Sequence, residues 1–283
     1  MIAINRKLST DVEIKIESDY LINPILHDGA KSLWKKESYQ VKNFFKEDEI
    51  QWLVNFMFRM HNDRRIKECG TLHFMNDFEP IQEKIGPKLK ELEPDLLLEH
   101  WEGNFVLTAT PYNLHIDTGR PDFYKRINKY RPMYVPHKQF VIPLFVCHTN
   151  PEFKGTDKVP LAGTAIFKNR FLRYGTNFAK SSKTYGTDVF HTVTNYEDLT
   201  SYNIDGSVAN VDWSKPFDED LRKKYIDHFP KQWLDGFELE NVFQADVGSV
   251  IVWDRAQAHS GTHFMKQGVT LKSMLALQTV KAV

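Results

Sequence analysis

The sequence predicts a mainly β fold, a sandwich or barrel of short strands with helices flanking it. Three observations predict this. From about Leu97 onward the chain breaks into short apolar or alternating runs separated by Gly, Pro, Asn and Asp, the texture of an all-β unit. Ahead of that point, two stretches carry apolar residues at helical spacing. Hydrophobic residues make up 41% of the 283 and aromatics 13%, ample for a buried core.

Taken in order, "SYQVKNFF" alternates and reads as a strand. "KEDEIQWLVNFMFRMHND" sets Ile50, Leu53, Val54, Met57 and Met60 at helical spacing, behind acids that suit a helix start. A second helix spans "DFEPIQEKIGPKLKELEPD", with Gly86-Pro87 expected to kink or split it. Both helices are expected to brace one face of a sheet. The strands then follow as "NFVLTAT", "NLHID", "QFVIPLFV", "GTAIFKN", "NVFQAD", "GSVIVWD" and "VTLKSMLALQTV". Pro143 inside "FVIPLFV" predicts an edge strand or a bulge. The connector from His148 to about Glu240 is too long for a bare loop and suits a lid or binding loop with elements of its own. The organisation is read as a single domain over residues 1–283: a mixed α/β support region at 1–96, then the β core at 97–283 with a long insertion around 149–240.

Composition narrows the function. No run approaches the ~18 apolar residues of a membrane span. The first residues carry charges where an export signal needs an apolar stretch. Two cysteines, Cys69 and Cys147, are too few for a disulfide framework or a thiolate cage and suit a reducing cytoplasm. Net charge is zero, which argues against a nucleic-acid partner. The charge is unevenly spread: Arg120–Lys183 holds 13 basic residues against 3 acids, and Thr184–Asp246 holds 5 against 13. The two segments either neutralise each other on folding or present a basic surface to an anionic small molecule.

The chemistry-bearing stretch is "NLHIDTG". A shuffle of this composition gives about one His-x-Asp by chance, so the tripeptide alone says nothing. Its setting says more. On a strand, His115 and Asp117 point to one face and can converge on one ion, with Gly119 and Pro121 ending the strand just beyond. "ADVGSVIVWDRAQAHSGTHF" then reads as turn, strand and loop, the loop delivering His259, and Lys272 follows in an otherwise apolar last strand. Two histidines and one carboxylate with open positions form the ligand set of non-haem Fe(II) oxygenases. His263 competes with His259, since an i, i+4 pair on a helix could bind zinc, although Gly261 between them argues for a loop.

This order of residues resembles the Fe(II)/2-oxoglutarate-dependent dioxygenase superfamily over roughly residues 97–283, and "GSVIVWDRAQAHSG" is similar to its phytanoyl-CoA-hydroxylase-like branch. The resemblance implies a double-stranded β-helix (jelly-roll) core, with iron on His115, Asp117 and His259. It implies that Lys272 pairs with the distal carboxylate of 2-oxoglutarate, and that O2 is the co-substrate of a hydroxylation giving succinate and CO2. Tyr112, Gln139 and Thr164 are candidates for the remaining cofactor contacts, by position on neighbouring strands. Family members often carry a hydroxyl two residues after the basic residue, where this chain has Met274, with Ser273 one place too early. Trp253, Asp254 and Arg255 read as structural, Arg255 as a pin for the loop presenting His259. Two other readings stay open: a cupin-like metalloenzyme without 2-oxoglutarate, and a non-catalytic jelly-roll binding protein.

Overall fold

Strands that can each bury one face need a second layer to bury it against, and here two sheets of mostly antiparallel strands supply that layer to each other. The computed structural model describes residues 24–62, 71–73, 79–119, 121–129, 133–150, 152, 162–173, 176–179 and 192–283. The N-terminal residues examined for an export signal, Cys69 and much of the basic stretch lie outside them.

In chain order the strands are β1 (Tyr39–Val41), β2 (Thr71–His73), β3 (Glu102–Thr108), β4 (His115–Ile116), β5 (Tyr134–His148), β6 (Thr164–Phe171), β7 (Thr176–Ala179), β8 (Thr192–Asn195), β9 (Ser201–Tyr202), β10 (Leu239–Phe243), β11 (Val250–Asp254), β12 (Gln257–Gly261) and β13 (Val269–Ala282). The first sheet runs β1-β11-β5-β13-β3-β2, and the second β10-β6-β12-β4-β7-β8 with β9 beside β6. Counting only β3, β4, β5, β6, β10, β11, β12 and β13 as first to eighth, the first sheet holds the sixth, third, eighth and first in that order. The second sheet holds the fifth, fourth, seventh and second. That is the winding of a jelly roll.

Alternation then sorts the side chains. On one face of the first sheet, Phe105, Phe140, Leu275 and Leu277 pack under helices α2 (Glu47–Asn62) and α3 (Glu79–Leu92), following α1 (Pro24–Lys31), with Leu53, Met57, Ile81 and Ile85 buried against them. Each such buried side chain is worth roughly 1.5–3 kcal/mol of transfer free energy. Their sequence neighbours Val106, Val141 and Ala276 point the other way, toward the second sheet.

The structure bears on three local expectations. Helix α3 continues through Gly86-Pro87 as one element. A residue before proline is pushed out of helical geometry largely by its Cβ; Gly86 has none, and a Cβ there would lie 2.7 Å from Leu98 Cδ2. Pro143 lies on β5, which is interior to its sheet, between β11 and β13. It falls two residues past the last β5 partner of β11, at a break in register between Ser273 and Met274 on β13, the bulge among the two places expected for it. Finally, the segment of His259 is a strand, β12, not a loop. The chain turns at Arg255-Ala256 without glycine or proline, the turn being closed by Asp254 N–H donating to Gln257 Oε1 at 3.1 Å.

Charges of the basic and acidic segments do meet: Lys168 lies 3.3 Å from Glu238 and Arg170 lies 3.9 Å from Glu240. Among the described residues no helix is long and apolar enough to cross a membrane.

Candidate metal centre and adjoining pocket

The centre is built on the pairing of two short strands. His115 of β4 and His259 of β12 are direct partners across the ladder, both side chains buried, with ring centroids 4.1 Å apart. Each imidazole is turned by its own backbone. His115 Nδ1 lies 2.6 Å from Asn113 O and His259 Nδ1 lies 3.0 Å from Gln257 O. A carbonyl can only accept, so Nδ1 carries the proton, which leaves Nε2 as the atom that would meet a metal, the arrangement of histidines that bind through Nε2. Asp117 lies just past β4 and brings Oδ2 to 3.2 Å from His259 Nε2 and 3.8 Å from His115 Nε2. One ligand atom from each of the three lies within 4.8 Å of the others, and among the described residues no other group of three does so.

His263 is not part of this group. Its Nδ1 lies 2.6 Å from Asp227 Oδ1, beyond the end of β12. Burial holds its pKa below the ordinary imidazole value.

Arg255 holds more than the one segment expected of it. Its fully buried guanidinium donates to Asp117 O (2.7 Å), Thr279 O (2.9 Å) and Glu102 Oε2 (3.0 Å), and its own carbonyl accepts from Asp117 N–H at 3.3 Å. It pins the turn that leads into β12 and His259, and through the same bonds it also holds Asp117. Asp254 is also a buried anchor of that turn, taking Lys138 Nζ at 2.7 Å and Arg170 Nε at 3.1 Å.

The triad opens on a pocket between the sheets with about 630 Å³ of empty space, part of it open solvent. Lys272, Tyr112, Gln139 and Thr164 all line it. Lys272 is the notable one. It is buried, its Nζ donates to Ala162 O at 3.1 Å and sits 4.9 Å over the ring of Phe264, and no described carboxylate pairs with it. Burial pushes its pKa down to about 7. A buried ammonium without a counter-ion is costly, and an anion arriving in the pocket would relieve that cost. Met274 lines the pocket, whereas Ser273 points to the opposite face and donates to Met57 Sδ, so Ser273 supplies no hydroxyl to this site.

Asn104, Thr108 and Trp253 also line the pocket and were not foreseen. The signal was available in part: Asn104 and Thr108 share strand parity with the inward-facing Val106.

The donor set of two neutral imidazoles and a carboxylate, with a buried cation in the same pocket, fits Fe(II) and 2-oxoglutarate. No family profile matches the sequence, and no curated protein matches it. Solved structures similar to the chain include a prolyl-4-hydroxylase from Pseudomonas putida, 10% identical with a TM-score of 0.39, covering 91% of this chain and 100% of that one. HygX from Streptomyces hygroscopicus, with nickel and 2-oxoglutarate bound, is 8% identical with a TM-score of 0.40, covering 98% and 88%. EctD from S. alaskensis is 11% identical with a TM-score of 0.41, covering 98% and 80%. At that distance the likeness carries no inference about the chemistry of this chain.

Proposed function

We propose that this protein is an Fe(II)- and 2-oxoglutarate-dependent oxygenase that hydroxylates a small organic molecule. One observation carries the reading: three ligand atoms converge beside an open pocket that also holds a buried ammonium with no carboxylate partner among the described residues. His115, Asp117 and His259 would hold the metal through Nε2, Oδ2 and Nε2. Lys272 would take the far carboxylate of the keto acid as its counter-ion. With iron and 2-oxoglutarate bound, such a site reduces O2, releases succinate and CO2, and transfers one oxygen atom to the substrate.

The chain's own contribution is orientation and exclusion of water. The Nδ1 contacts keep both imidazoles in one tautomer, and Arg255 keeps the Asp117 backbone in place. Val106, Val141, Met274 and Ala276 give the pocket an apolar wall. Placement in the phytanoyl-CoA-hydroxylase-like branch rests on the "GSVIVWDRAQAHSG" stretch alone. An anionic substrate would suit the basic residues of 120–183, of which Lys138, Lys168 and Arg170 are taken up in ion pairs.

The test needs no substrate. Fe(II) and then 2-oxoglutarate are added to the apo-protein without oxygen, and the visible charge-transfer band of a chelated keto acid is followed. The expected result is a band in the wild type, lost in His259→Ala, kept in His263→Ala, and needing more 2-oxoglutarate in Lys272→Ala. Metal binding without any band would leave a metalloenzyme that does not use 2-oxoglutarate.

A further inference from the structure

The two histidine ligands belong to the second sheet, yet the triad is also touched from the first. Gln139 lies on β5, inside that first sheet, and its Nε2 donates to Asp117 Oδ2 at 3.0 Å. This is the same oxygen that faces His259 Nε2. The reversed carboxamide would set an oxygen against a carboxylate, so the nitrogen is the atom that faces Asp117. The cross-strand partner of Gln139 is Trp253, whose ring centroid lies 4.9 Å from that of His259. One pair of residues on the first sheet therefore abuts two members of the triad on the far side of the sandwich.

Packing gives no reason for a carboxamide at this place. Gln139 is 1% exposed, and among the described residues its Oε1 has no hydrogen-bond partner; neither does the buried Nε1 of Trp253. A buried orphan of this kind costs about 1–3 kcal/mol, and an apolar side chain of similar length would avoid it. What Gln139 gains in return is the bond to Asp117.

We propose that Gln139 is a positioning residue for Asp117. It fixes the carboxylate so that Oδ2, not the other oxygen, faces both imidazole Nε2 atoms. Because its backbone is hydrogen-bonded between two neighbouring strands, the donor comes from a rigid element and sets the orientation before any ion arrives. This inference rests on the metal-site reading given above, and it assigns Gln139 to Asp117 and not to the keto acid.

Co(II) titration of the apo-protein, read by its visible d–d absorption, tests this on wild type, Gln139→Leu, Gln139→Met and His259→Ala, together with the Tm of each without metal. The expected result is affinity about 10–100-fold weaker in both Gln139 variants, with an apo Tm unchanged or raised because an orphan acceptor has gone. Unchanged affinity in either folded variant overturns the proposal. So does weaker binding accompanied by a lowered apo Tm in both, since Gln139 would then be part of the core. If one variant does not fold, the other decides. A wild type that fails to bind Co(II), or binds it equally well as His259→Ala, removes the metal site itself, an outcome distinct from failure at Gln139 alone.

Discussion

His115 and His259 face each other as direct partners across β4 and β12, and each turns Nδ1 to the carbonyl of the residue two positions before it. The same local device is thus used twice. Neither ring needs to rotate or give up its Nδ1 partner to offer Nε2 to an ion, so the centre is oriented in advance. Replacing either histidine by glutamine should lower Co(II) affinity at least about 100-fold, by analogy with the loss that even an outer partner of a metal ligand produces. Equilibrium dialysis on the two variants checks this.

Lys272 makes the apo-protein sensitive to pH. Its pKa is about 7 in the fold, lowered by burial from 10.5. Between those values the unfolded chain binds more protons, so this residue's penalty shrinks and stability rises with pH from about 7 toward 10.5; below 7 the penalty is fully present. Lys272→Met should abolish this rise and be more stable than wild type at pH 6, as urea denaturation across pH would show. In the same window wild-type affinity for 2-oxoglutarate should fall with rising pH, because a neutral amine no longer attracts the carboxylate.

Arg255 ties Asp117, Thr279 and Glu102 together from a fully buried position. Arg255→Met should destabilise the fold by about 3–5 kcal/mol, the range for breaking a buried ionic contact by removing one partner. Denaturant unfolding reads the loss. Co(II) affinity of the folded fraction should fall too, since the Asp117 backbone loses its clamp.

Gly119 has φ +93°, and a Cβ there would come within 2.8 Å of both Arg255 Nη2 and Glu102 Oε2. Gly119→Ala should therefore cost about 1–3 kcal/mol for the backbone conformation alone. Its expected signature is a lower Tm with weaker metal binding, whereas Gly206→Ala, equally strained but beside Lys31, should lower Tm and leave metal binding unchanged.

Much of this was legible from residue types and spacing. The strands marked by Gly, Pro, Asn or Asp were found, and His115 with Asp117 stood out because two positions along a strand share a face. Lys272 stood out as a lone cation in an apolar strand. β12 was hidden because "QAHSG" is small and polar for a buried strand and the Arg255-Ala256 turn before it has no turn residue. The fate of Pro143 depended on its neighbours across the sheet, and that of Gly86-Pro87 on Leu98, neither of which local sequence reveals. Arg255 was recognised as a pin, but its partner is 138 residues away, a separation no local pattern can span. Asn104, Thr108 and Trp253 were missed because parity gives a face and not a destination.

β4 is only two residues long, too short for ladder bonds alone to hold it. The strand that carries His115 relies on its neighbours, stitched on one side to β12 and on the other to β7. An ion gripped by His115, Asp117 and His259 would act there as a rivet, closing the seam between two segments more than a hundred positions apart. Acquisition of metal would then belong to the maturation of the chain as much as to its chemistry: with its ligand atoms already aimed, the centre would add a cross-link between distant segments without asking either of them to move.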